Sequence, residues 1–138
     1  MTQTITFTIP RNEWLSSNDR YGHWATRSRT KALKHRAFIT VLAHIRKGKL
    51  HPVTRATVTA TIGYPSQRKA DPHNAAPTVK ALIDGCTDAG LWPDDNSDVL
   101  PLIAFGRANT KAPKHTHLVT LYLTNLEIEY ERKPQCTS

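Results

Sequence analysis

Apolar and polar residues alternate from the start of the chain. In TITFTI, Ile5, Phe7 and Ile9 fall on one face and threonines on the other, which predicts a half-buried strand ended by Pro10. The stretch LSSNDRYGHW is too rich in Ser, Asn, Asp and Gly to continue it and reads as a loop. From about Thr26 to Lys47 the period changes: Leu33, Ala37, Val41 and Ile45 recur every four residues with Phe38 and Leu42 beside them, the stripe of an amphipathic helix. GKLHP breaks it. TRATVTATIGY alternates again, with Val58, Ala60, Ile62 and Tyr64 on one side, and delivers the chain through the basic loop PSQRK to Asp71. Between Pro77 and Gly90, Val79, Leu82, Ile83 and Cys86 make a second, shorter helical stripe, opened by a proline and closed by a glycine. LWPDDNSD reads as a turn, VLPLIAF as a buried strand, HTHLVTLYLTNLEIEY as a long final strand and ERKPQCTS as a loose tail. The order β-α-β-α-β-β predicts an α+β fold of two layers, with the helices packed on one mixed or antiparallel sheet.

Composition narrows the class. A chain of 138 residues without repeats or low-complexity tracts is expected to form a single domain over residues 1–132, followed by a flexible tail over 133–138. The net charge is +8 and the isoelectric point is near 9.8. Before Asp71 the only acids are Glu13 and Asp19, against a long series of Arg and Lys. Such a face attracts polyanions, because Lys and Arg neutralise phosphates; the plainer reading is a solvated surface that keeps the protein soluble. Cys86 and Cys136 form no CxxC and suggest neither a disulfide framework nor a zinc site, which fits a reducing cytoplasm. MTQTITFTIPRNEW lacks the basic-then-apolar order of a signal peptide, and no apolar run is long enough to cross a bilayer. The expectation is a soluble cytoplasmic protein with no membrane partner.

The acids that the first half lacks are gathered in one stretch, RKADPHNAAPTVKALIDGCTDAGLWPDDNSDVL. Magnesium takes oxygen ligands, usually one or two carboxylates with phosphates and water, and in phosphodiester cleavage it activates water and neutralises the scissile phosphate. Asp71 follows a predicted strand, and Asp94 and Asp95 follow the helix after it, so the excursion can return the chain beside its start. Lys80 shares the polar helix face with Asp84 and Asp88 at four-residue intervals: it either pairs with Asp84 on the surface or turns toward Asp71 to stabilise a phosphoryl transition state. PDDN is also a good turn sequence, so Asp94 or Asp95 either turns the chain or holds a metal. His73 is a metal ligand, a general base or an exposed loop residue. Asn74 either orients a water or caps the loop.

Asp71-x-His73-Asn74, then Lys80, Asp84, Gly90, the pair Asp94-Asp95 and Val99, resembles the core signature of RusA-type Holliday junction resolvases, in the form carried by phages and prophages of high-GC bacteria. FTIP followed by LSSNDRYGHWATRSRTKALK is similar to that family's opening strand, polar loop and basic first helix, so the resemblance spans roughly residues 4–125. It implies a homodimeric endodeoxyribonuclease, phage or prophage encoded and acting in the bacterial cytoplasm, that cuts four-way junctions and other branched DNA with magnesium and needs no small-molecule cofactor. It also implies that Asp71 and Asp95, with Asp94 beside it, hold the metal and that Lys80 is catalytic, although three residues within AAPTV are inserted before Lys80 relative to the shorter type. His73 stands where the family has a second catalytic aspartate; histidine accepts manganese more readily than magnesium, so one metal or two remains open. Arg20, Arg27, Arg29, Lys31, Lys34 and Arg36, with Arg68 and Lys69 beside Asp71, become the candidates for phosphate contacts. Trp24 and Tyr21 either stack on a junction base or, for Trp24, bury in the core or a dimer. Two rivals are a branched-DNA-binding protein without turnover and a less selective metal nuclease.

Overall fold

A computed structural model describes residues 2–126. Seven segments follow in chain order: β1 (Thr2–Pro10), α1 (His23–Arg46), β2 (Ala56–Gly63), a single 3-10 turn (Pro72–Ala75), α2 (Ala76–Asp88), β3 (Ile103–Arg107) and β4 (Thr116–Asn125). The strands form one mixed sheet in the order β1-β4-β2-β3, antiparallel at β1/β4 and β4/β2 and parallel at β2/β3. The α+β architecture and the element order are those the periodicity predicts. The expected continuation of the last strand to Tyr130, and the tail, lie outside the described residues.

Ile5, Phe7 and Ile9 of β1, Val58, Ala60 and Ile62 of β2, and Val119, Leu121 and Leu123 of β4 form the buried face of the sheet. Leu33, Ala37 and Val41 of α1 and Val79, Leu82, Ile83 and Cys86 of α2 close the core over it. The two helices meet at Gly85. A Cβ there would overlap the Lys34 carbonyl oxygen and lie 2.7 Å from Ala37 Cβ, so only glycine lets the helices approach so closely. Gly90, at φ 86°, turns the chain out of α2, a left-handed conformation that suits glycine.

Two elements differ from expectation. Helix α1 begins at His23 rather than Thr26, which takes Trp24 out of the loop and into the first helical turn. The third strand begins only at Ile103 and is not buried: Leu102 is 58 % and Ile103 37 % exposed. Pro101 has no N–H to donate to a ladder, and among the described residues β3 pairs with β2 alone, so it is an edge of the described sheet.

The polar loop after β1 is tied down at several points. Arg36 makes a two-pronged pair with Glu13, Nε to Oε1 at 2.8 Å and Nη2 to Oε2 at 2.9 Å. Arg29 Nη1 donates to the carbonyls of Arg11 and Trp14 at 3.1 and 2.9 Å. The buried hydroxyl of Thr78 on α2 accepts from Leu15 N–H at 2.9 Å and donates to Leu15 C=O at 2.7 Å. Ser17 N–H donates to Asn74 C=O at 2.8 Å. The loop is thereby fixed over the start of α2, where the candidate catalytic residues begin. No helix among the described residues is long and apolar enough to cross a membrane.

Candidate active site

The parallel pairing of β2 and β3 requires a crossover, and α2 supplies it, so every acid of the central stretch is distributed along one helix and its two connections. Asp71 stands at the head of the 3-10 turn. Its Oδ1 accepts from the His73 backbone N–H at 3.0 Å and lies 3.2 Å from His73 Nδ1. Those two contacts, the backbone one first, hold the Asp71 carboxyl below the ordinary carboxylate range. Asp71 and His73 both reach solvent, and the His73 ring leans on Phe105 of β3 with centroids 5.5 Å apart.

Further along α2, Lys80 Nζ lies 3.8 Å from Asp84 Oδ1. The surface pairing that four-residue spacing allows is therefore made, but Lys80 remains 76 % exposed, and its ammonium is free to meet another anion. Asp84 is also hydrogen-bonded to Asp95, which the turn after α2 brings back beside the helix. Burial raises the Asp84 carboxyl above its ordinary value, with the Asp95 contact adding to it, while the hydrogen bond from Asp84 lowers Asp95. Two carboxyls so close disfavour each other's ionisation, and the cost falls on Asp84, the more buried of the two.

The two neighbours in PDDN have different tasks. Asp94 Oδ1 accepts from Asp95 N–H at 2.7 Å and its Oδ2 from Asn96 Nδ2 at 3.2 Å, while Asn96 Oδ1 accepts from the N–H groups of Asp98 and Val99 at 3.0 and 3.1 Å. Asp94 and Asn96 shape the turn, and Asp95 faces the helix. The sequence reading placed Asp84 in the resemblance motif and offered it as one possible partner for Lys80, but gave it no role in the site; its helical position, one turn beyond Lys80, is what sets it against the returning PDDN turn.

A cavity of about 250 Å³ runs between α2 and β3, walled by Val79, Ile83, Ile103 and Phe105 and bordered by Lys80 and Asp95. Phe105 lines this cavity and also touches the His73 ring, while Asp95 and Lys80 border the slot directly. Of the four expected metal ligands, Asp71 contacts His73, Asp94 is turned to the Asp95 N–H and Asn96, and Asp95 contacts Asp84, which was not among them; among the described residues no group of three His, Cys, Asp or Glu side chains converges as a metal cage. On the other side of Lys80 and Asp84, a wider cleft of about 560 Å³ opens toward Ser17, Arg20 and Tyr21 of the pinned loop.

The candidate phosphate contacts separate by orientation. Arg29 and Arg36 are spent on the fold, as described above. Arg20, Arg27, Lys31, Arg68 and Lys69 are exposed and Lys34 is half-buried. Arg107, not foreseen from the sequence, donates to the carbonyls of Arg68 and Ser66 at 2.8 and 3.1 Å and so positions the basic loop ahead of Asp71. No protein-family model matches the chain, and no curated protein is significantly similar to it.

Proposed function

We propose that this chain is a RusA-like, structure-specific endodeoxyribonuclease that hydrolyses phosphodiesters in branched DNA with the help of a divalent metal. The observation that carries the reading is the Lys80–Asp84–Asp95 cluster: two carboxyls in contact, with an exposed ammonium beside them and basic residues on either side. Acid pairs of this kind suit a hard cation, since magnesium binds through one or two carboxylates and completes its shell with water and phosphate oxygens. Asp84 and Asp95 would hold it, with Asp71 as the further carboxylate. Bound there, the cation would supply the Lewis acidity that activates water and offsets charge on the scissile phosphate.

The remaining work falls to the chain itself. Lys80, exposed and charged, offsets negative charge on the phosphate or the departing oxygen. Asp71 is held ionised by His73, so it enters the reaction as an acceptor and not as an acid. Arg68 and Lys69 lead the DNA backbone to Asp71, and Arg20 and Lys80 line the other cleft, so a strand crossing the helix meets cations on both sides of the carboxyls. A two-fold dimer would set two such sites against the symmetric strands of a four-way junction.

The test is a substrate panel. A labelled four-way junction, a linear duplex of the same sequence and a single strand are incubated with the wild-type protein in magnesium, manganese or EDTA. Paired, metal-dependent nicks confined to the junction are expected. Equal cutting of all three substrates would replace this reading with that of an unselective nuclease, and tight junction binding without nicks in either metal would leave a binding protein.

A further inference from the structure

Trp24 has no place in the chemistry above, and its surroundings are unusual. A tryptophan in the first turn of a 24-residue helix is expected to bury its ring, yet Trp24 is 82 % exposed. The other two tryptophans are occupied: Trp92 is buried with its indole N–H donating to Thr87, and Trp14 stacks on His117 with centroids 3.8 Å apart. Helical spacing places Trp24 on the same face as Arg27 and Ser28, Lys31 and His35, three or four residues apart in turn, and away from the Arg29–Arg36 side that grips the loop. Arg27, Lys31 and His35 are exposed, the first turn of α1 contains no acid, and Lys31, Lys34 and His35, against the single acid Asp88, border a groove of about 570 Å³ beside this helix. From Trp24 to Lys31 the helix advances about 10 Å, enough for a base on the ring and the phosphates next to it to be met by one helix face.

We infer that this face of α1 is a second nucleic-acid contact, separate from the carboxyl cluster, in which Trp24 stacks on an unpaired base while Arg27 and Lys31 hold the phosphates next to it. The inference rests on the proposed function for the identity of the polymer, and adds that the substrate presents an unstacked nucleotide there. Charge selects the occupant: a row of cations along the ring's own helix face favours a polyanion and repels a second copy of the same row. Stacking on an aromatic ring is open to every base, so this contact would read unpairing and not sequence.

Trp24 is also its own reporter, since an exposed indole emits at longer wavelength than the two occupied ones and is open to iodide. Emission of Asp95→Asn protein in EDTA, where cutting is suppressed, is titrated with oligothymidylate, a four-way junction and a blunt duplex, with fluorescence anisotropy of labelled DNA measuring binding in parallel. Oligothymidylate and the junction are expected to quench the exposed emission and shield it from iodide, the duplex to bind with little quenching. Trp24→Ala should weaken oligothymidylate binding roughly ten-fold and Trp24→Phe much less, with thermal melting little changed because the ring is 82 % exposed. Binding without quenching, quenching as strong with the duplex, or an emission that shifts with protein concentration in the absence of DNA would each overturn the inference, the last because a second copy covers the ring. Junction cleavage by wild-type protein with a silent Trp24 would sink this inference alone; quenching without cleavage in any metal would sink the nuclease reading and leave this one standing.

Discussion

Asp84 and Lys80 show how much a single helical turn decides. Four residues apart, they could have formed an ordinary surface ion pair, which would be worth only a few tenths of a kcal/mol. The return of Asp95 changes that, because a second carboxyl beside Asp84 creates a local excess of negative charge that a cation relieves. Lys80→Ala is therefore expected to slow junction cutting by roughly a hundred-fold or more while binding falls little; a loss of binding equal to the loss of cutting would make Lys80 a plain phosphate contact. His117 makes a different prediction. Burial against Trp14 and Tyr64 lowers its pKa from 6.5 to about 4. Between those values the unfolded chain binds a proton and the folded one does not, so stability falls as pH drops through that window, by on the order of 2 kcal/mol. Denaturant melts from pH 7 to pH 4 check it: His117→Phe, which keeps the stack, should flatten the dependence.

At the scale of elements, the strands and both helices were legible because their apolar residues keep period two or period four. The edge strand was not: VLPLIAF is apolar enough for a core strand, and nothing local says that only one neighbour would pair with it. The pinning of the loop after β1 was equally hidden, since Arg36–Glu13 and Thr78–Leu15 join residues far apart in sequence. Half of the site was legible. The motif named Asp71, Lys80 and Asp95, but which aspartate of the pair faces the helix depends on the Asp94–Asn96 turn, and Asp84 becomes a site residue only when that turn closes. Gly85 is the clearest element-scale constraint. Gly85→Ala should cost about 2 kcal/mol or more in unfolding free energy, because neither the Lys34 carbonyl nor Ala37 can move without separating the helices. It should also cut more slowly under conditions where it is fully folded, since Asp84 precedes it; a fully active, equally stable variant would show that the helix crossing is looser than described.

For the whole molecule, charge placement matters more than total charge. The chain carries +8, but its arginines are not equivalent: Arg29 and Arg36 brace the loop, whereas Arg27, Lys31, Arg68 and Lys69 face outward. Removing an outward cation that touches a phosphate should lower the slope of log binding constant against log salt by about one and leave melting unchanged. Arg36→Ala should do the reverse, lowering the melting temperature while the slope stays put. Equal salt slopes for all of these variants would mean that DNA, if bound, lies on another face.

The most direct measurement compares wild-type protein with Asp95→Asn on a labelled four-way junction, scoring both nicking in magnesium or manganese and binding in EDTA. Nicking should fall by roughly a hundred-fold or more while binding is kept or strengthened, because a carboxylate that holds a metal is lost and a negative charge near the phosphates is removed. An Asp95→Asn variant that nicks the junction as fast as the wild type would contradict the account, and the Asp84–Asp95 pair would then be a structural feature of the turn.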